Sequence, residues 1–187
     1  MENKDSFFQG LYYESTISLV CQVVGSLPDD NELVSINDNN VRFLKALAAL
    51  NEGAPEGGEE IPQTAAELQR LDFKLNLLLE MVGQLLANQR TLPVPTQVRL
   101  GNAGIEWVAQ DRPPSGAHVC IEVYLRRELP SPLKFHGVAV LVDSVEGSGS
   151  AGQRVQVRFV GLSSALQDDL EKFIFSRHRR SIAQRQA

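Results

Sequence analysis

Cysteine, histidine and tryptophan are scarce in this 187-residue chain, which has two, three and one of them, and each shortage excludes some chemistry. Cys21 and Cys120 lie far apart in alternating apolar stretches, where a free cysteine acts as a small hydrophobe. No disulfide framework is expected, and a reducing cytoplasm is the expected home. The cysteines and His118, His136 and His178 do not stand at metal-ligand spacing, so no zinc site and no other metal or cofactor is expected. No Gly-x-Ser-x-Gly turn occurs, and Ser163 and Ser164 stand where a helix would be capped, so the chain does not read as an enzyme. The stretch Gly147-Ser148-Gly149-Ser150-Ala151-Gly152 has the composition of a phosphate cradle, yet no lysine follows it. It reads as a flexible hairpin loop. No apolar run approaches about 18 residues, and Met1-Glu2-Asn3-Lys4-Asp5 is charged, so neither a membrane span nor a secretion leader is expected. The formal net charge is -5 with the cations strung out along the chain, which argues against nucleic acid as a partner.

What is present is the composition of a folded protein, 43% hydrophobic and 22% charged, at a length that suits one domain with an appendage. The clearest pattern in it is a heptad stripe. Leu68, Leu71, Leu75, Leu78, Val82 and Leu85 alternate in spacing of three and four, and the register extends to Ile61 and Gln89. Such a stripe calls for a partner helix, most simply a second copy of itself. Leu77, Leu79, Met81 and Leu86 widen the apolar face beyond the needs of a two-stranded coil, so a homo-oligomer of trimeric or tetrameric size is expected. The alternative is an amphipathic helix folded back on its own domain. Thr64 and Glu67 are spaced as a capping box and Leu92-Pro93 marks the end, giving a helix of roughly 40 Å at the usual rise.

Before the stripe, Tyr12 to Val24 alternates like a strand, and Asn37-Asp38-Asn39 offers N-caps for a short helix through Val41, Leu44 and Leu47. Gly53 to Pro62 is rich in Gly, Glu and Pro, the composition of a mobile linker. After the stripe, strand-like runs cover Gln97–Leu100, Ile105–Val108, His118–Leu125, Leu133–Val145 and Val155–Phe159, with turn residues between them. With the first strand they make a six-stranded barrel. Leu166, Leu170, Phe173 and Ile174 then form a helical stripe that could lie over the barrel, followed by the basic residues Arg177, His178, Arg179 and Arg180. These cations could hold an anionic partner or simply favour the helix dipole. Trp107 could be core or recognition surface.

The order of these pieces resembles the PilZ domain. The likeness lies in Gln97-Val98-Arg99-Leu100-Gly101-Asn102-Ala103-Gly104-Ile105-Glu106-Trp107 and in the run from Val155 to Arg177. The family is a small bacterial β-barrel that typically binds cyclic di-GMP. The chain is similar in particular to an atypical branch, known from xanthomonads, in which an inserted long helix drives tetramerisation. The resemblance implies a mainly β fold with α-helical additions. Its parts are a first barrel strand in 1–26, a short helix and acidic linker in 27–63, and a heptad oligomerisation helix in 64–92. The remainder of the barrel falls in 93–163, and the C-terminal helix with a basic tail in 164–187.

The family reads its ligand with two motifs. One is Arg-x-x-x-Arg ahead of the first strand, where two guanidiniums pair with phosphate and the guanine edge. Residues 1–11 hold no arginine, and the first in the chain is Arg42. Arg154 and Arg158 match the bare spacing but sit in a late strand and read as a solvated face. The second motif supplies an acid or amide, a hydroxyl and a final glycine. Aligned on Gly104, it meets Arg99 at the acidic position and Gly101 at the hydroxyl position. The degenerate ligand surface is therefore Arg99, Gly101, Gly104, Arg154 and Arg158, and weak or absent cyclic di-GMP binding is expected. The function that the resemblance implies is a non-enzymatic adaptor in cyclic di-GMP signalling. Its partners would be signalling or pilus proteins, and motility, type IV pili and virulence its outputs. The alternative is a cyclic di-GMP receptor with a pocket rebuilt around Arg99, Arg154 and Arg158.

Overall fold

The structure, a computed structural model, describes residues 8, 10–51, 68, 71, 74, 75, 78, 81, 82, 92–126, 131–140 and 153–185. Alternation of apolar and polar side chains decides which face of each strand turns inward. Tyr13–Val23 (β1) buries Ile17 and Leu19 and leaves Glu14 and Thr16 outside. Thr96–Leu100 (β2) and Gly104–Ala109 (β3) likewise bury Val98, Leu100, Ile105 and Trp107, which settles Trp107 as a core residue. His118–Tyr124 (β4), Leu133–Val140 (β5) and Gln153–Phe159 (β6) complete the set. The strands pair antiparallel and close in the order β1-β2-β3-β6-β5-β4, the six-stranded PilZ-like barrel expected from the sequence. Phe135 and Phe159 stack inside it with ring centroids 4.3 Å apart.

Closure depends on β1. Its first half, Tyr13 to Ile17, pairs with β2, and its second half, Ser18 to Val23, pairs with β4. Ser18 at the changeover is 2% exposed and donates its hydroxyl to the Pro93 carbonyl at 2.7 Å. Pro93 and Pro95 lack the N–H that a ladder needs, so β2 starts only at Thr96 and does not compete with β4 for the second half of β1.

Helices Asp30–Asn51 (α1) and Ser164–Arg185 (α2) pack on each other and on the barrel. Leu44 and Leu47 from α1 and Leu166, Leu170 and Ile174 from α2 join the barrel core. Each such side chain contributes about 1.5–3 kcal/mol by leaving water. The expected C-terminal stripe is thus the inward face of α2, with Phe173 edge-on to Tyr13 at 5.4 Å. Ser163 caps α2, its hydroxyl oxygen accepting from the Leu166 N–H at 3.2 Å.

The first helix differs from expectation. Asn37-Asp38-Asn39 lies well inside α1, which starts at Asp30 and runs for 22 residues. Its cap is Asp29, whose carboxylate accepts from the Glu32 N–H at 2.8 Å. Asn37 and Asn40, three apart on one face, are buried and act at long range. The Asn37 amide donates to the Gly161 carbonyl at 2.8 Å, and the Asn40 amide both donates to the Lys134 carbonyl at 2.7 Å and accepts from the Lys134 N–H at 3.0 Å. Lys134 lies beyond the stretch of β5 that β6 reaches, since that pairing starts at Gly137. Asn40 therefore satisfies the two backbone groups that a neighbouring strand would otherwise take.

In the region of the heptad stripe, Leu68, Leu71, Lys74, Leu75, Leu78, Met81 and Val82 are helical, and the six apolar ones are 50–61% exposed in the single chain. Leu85, Ile61, Gln89, the linker Gly53 to Pro62, the loop Gly147 to Gly152 and the end of the expected fifth strand past Val140 lie outside the described residues. Among the described residues, no helix is long and apolar enough to cross a membrane.

Buried titratable groups are few. Burial raises the pKa of both thiols, that of Cys21 to about 11 with Cys120 adding to it, so neither is poised as a thiolate. His136 is 7% exposed, and both of its ring nitrogens are enclosed without a hydrogen-bond partner among the described residues. Burial lowers its pKa and the neighbouring Lys134 adds to this, while Glu32 of α1 opposes them. An unfolded chain takes up this proton near the ordinary value of about 6.5, whereas the fold takes it up only at lower pH. Stability held above that value is therefore lost as pH falls from it through the folded value. The urea midpoint of the wild type should drop between about pH 7 and pH 5 by more than that of His136→Leu, and equal drops would rule out His136 as the cause.

Candidate functional site

The outward positions of neighbouring strands come together as a row of polar side chains. In register, Glu14 of β1 faces Arg99 of β2, Arg99 faces Glu106 of β3, and Glu106 faces Gln156 of β6. Arg154 stands one outward position along β6 from Gln156. The alternation that buries Val98, Ile105, Trp107, Val155 and Val157 is what places these polar groups on the opposite face.

Glu106 is the centre of the row. Its side chain is 9% exposed, and its Oε1 is shared by Arg99 Nη1 at 3.5 Å and Arg154 Nε at 3.7 Å. Its Oε2 accepts from Gln156 Nε2 at 2.7 Å. Arg99 also approaches Glu14, Nε to Oε1 at 3.7 Å, and Gln97 Nε2 donates to that same Glu14 oxygen at 2.8 Å. Two arginines and two glutamates cancel, so the row offers no net charge to a phosphate.

The lead-in to β1 covers one end of the row. The Tyr12 ring lies under the Arg99 guanidinium, 5.3 Å from its centroid, and Phe8 packs 5.6 Å from Tyr12. The Phe8 ring also occupies the space beside Gly101, where a Cβ would meet it at 2.6 Å. Gly101 is therefore small for close approach and not for an unusual backbone. Among the described residues the left-handed region is taken by Gly116 and Gly161, so Gly104 too is not there for left-handed geometry.

Of the residues singled out from the sequence, Arg99 and Arg154 are brought together on Glu106, and Gly101 lies under Phe8. Arg158 stands apart and exposed, facing Gly104 across the β3–β6 ladder and Val138 across β5. It has no ion pair among the described residues. In the basic tail, Arg177 lies over the Phe173 ring at 5.4 Å. Glu106, Glu14, Tyr12 and Phe8 were not singled out, although strand alternation around Arg99 would have put Glu106 on the same face. Among the described residues, no group of three or more His, Cys, Asp or Glu side chains could hold a metal ion.

The profile of the atypical PilZ domain, described as a cyclic di-GMP receptor, matches residues 44–187. A tetrameric PilZ domain of a pathogenic protein from Xanthomonas campestris, self-assembled via an unusual helical bundle, superimposes with a TM-score of 0.75. It is 23% identical, over 94% of this chain and 92% of that one, and shares the fold. The inhibitor of motility MotI/DgrA of Bacillus subtilis gives a TM-score of 0.38 at 15% identity, over 46% of this chain and 43% of that one. The PilZ domain with c-di-GMP of YcgR from Escherichia coli gives 0.40 at 17% identity, over 49% and 77%. No curated protein matches the chain.

If Glu106 holds the row together, Glu106→Ala should cost about 1–3 kcal/mol, because it strips two arginines and an amide of a shared, nearly buried acceptor. Glu14→Ala, at a 41% exposed side chain, should cost about 0–1 kcal/mol. Urea unfolding of the two variants checks this, and equal small losses would count against a buried network.

Proposed function

The chain belongs to the atypical PilZ domain family, and from that premise we propose that it is a self-assembling, non-enzymatic adaptor of cyclic di-GMP signalling. It works through protein–protein contacts, and cyclic di-GMP binding at its motif surface is weak or lost. The observation that carries this reading is the occupation of that surface by the chain itself. Arg99 and Arg154 are held by Glu106, and Tyr12 and Phe8 lie on Arg99 and Gly101. A ligand phosphate would have to take a guanidinium from a carboxylate that is 9% exposed, leaving that carboxylate short of partners.

The exposed helical side chains Leu68, Leu71, Leu75, Leu78, Met81 and Val82 support assembly through the segment 64–92, since a stripe of this kind is unfavourable in water. The helical bundle of the tetrameric Xanthomonas protein agrees with a tetramer here. Several barrels on one stalk would bind a repeated target more tightly without any new contact. Motility, type IV pili and virulence are the outputs this reading carries from the family. A second reading, a receptor with a non-standard site, is favoured by Arg158, which is exposed and faces Gly104 on the same side of the barrel.

Titration calorimetry with cyclic di-GMP decides between them. No heat is expected at about 100 micromolar ligand, where a complex of Kd near 10 micromolar would be mostly filled. Saturable heat that Arg158→Gln abolishes would establish the receptor. Assembly is tested by light scattering on the double variant Leu71→Glu, Leu78→Glu. Its solution mass should fall to that of one 20.6 kDa chain, and an unchanged oligomer would exclude the stripe as the interface.

A further inference from the structure

A groove of about 660 Å3 runs between α1 and the outer face of β4 and β5, away from the charged row. We propose that it binds a small phosphorylated ligand of the nucleoside monophosphate class. Arg42 and Lys134 hold the phosphate, Phe43 takes a face of the ring, and Glu122 accepts from the ring's N–H groups. The volume lies within the roughly 300–1,000 Å3 of small-molecule sites.

The charges come from different elements, Arg42 from α1 and Lys134 from β5, and both side chains line the same groove. Neither has an ion-pair partner among the described residues, in contrast to Arg99 and Arg154. An anion entering here displaces no carboxylate. The two walls are also fixed in relation to each other. Asn40, two positions before Arg42, is 2% exposed and clamps the Lys134 backbone through both its N–H and its carbonyl. A site held in register before the ligand arrives loses less entropy on binding.

Glu122 narrows the ligand class. It faces Lys134 across the β4–β5 ladder, lines the groove, and accepts the Tyr124 hydroxyl on Oε2 at 3.0 Å. A carboxylate beside two cations repels a bare anion but accepts from N–H donors. Ile36, Phe43 and Pro132 supply apolar wall for a flat body. Anionic at one end, flat in the middle and N–H bearing at its edge, a nucleotide meets all three demands, while inorganic phosphate meets only the first. Ile36, Asn39, Asn40, Arg42 and Phe43 precede residue 44, where the match to the family profile begins.

Titration of the full chain with GMP, guanosine and inorganic phosphate tests the site. GMP should saturate with a Kd below about 1 mM, and guanosine and phosphate should each bind at least about tenfold more weakly. Arg42→Gln and Lys134→Gln should each weaken GMP at least about fivefold with an unchanged unfolding midpoint, and Arg99→Gln should leave GMP binding as it was. The proposal is overturned if GMP does not saturate below about 1 mM, if phosphate alone binds as tightly, or if both groove variants bind as the wild type does. Loss of GMP binding in Arg99→Gln would also overturn it, moving the ligand to the charged row.

Discussion

The closure of this barrel rests on one pairing constraint, the division of β1 between two neighbours. A single strand meets β2 through Tyr13 to Ile17 and β4 through Ser18 to Val23, and so turns five other strands into a closed ring. The changeover works because Ser18 finds its partner in the Pro93 carbonyl while the prolines beside it withhold further ladder bonds. Once the ring is closed, each strand's outward face has fixed neighbours, and side chains far apart in the chain share one row. The β2–β3 and β3–β6 ladders set Arg99, Glu106 and Gln156 side by side, and the pairing of β1 with β2 adds Glu14 to them.

On the proposed reading, the row is a ligand surface lost while the fold is kept. Its arginines remain, but their charge is used inside the protein. Glu106 is shielded enough that Arg99 and Arg154 have little reason to leave it, and the aromatic lead-in adds Tyr12 to Arg99 and Phe8 to Gly101. The groove under α1 is the opposite case. There the asparagine does the structural bonding, and Arg42 and Lys134 have no ion pair among the described residues.

Strand and core positions were legible in the sequence wherever the local period reports burial. Val98, Ile105, Val155, Leu166 and Leu170 all turn inward as their spacing requires. The start of α1 was not legible, because Asn37-Asp38-Asn39 has the chemistry of a cap and the real cap, Asp29, follows a proline turn that looks like loop. Asn37 and Asn40 instead bond to Gly161 and Lys134, partners 124 and 94 positions away, and no local pattern encodes such a choice. The same holds for the candidate site. Arg99 was conspicuous by mismatch with a motif, but its role depends on Glu106 and Glu14, and the second of these is joined to it only by the register of β1.

The divided first strand also sets a schedule. Tyr13 pairs with Leu100 and Val23 with Val119, so β1 is made first and waits for partners that follow the whole stretch between α1 and β2. At about 5–20 residues per second of synthesis, Ile17 and Leu19 stay unpaired for roughly 5–20 s. Such long-range pairing closes slowly even when the chain is complete. If copies assemble through segment 64–92 as proposed, the exchange of first strands between neighbouring barrels is the misassembly this order of synthesis would favour.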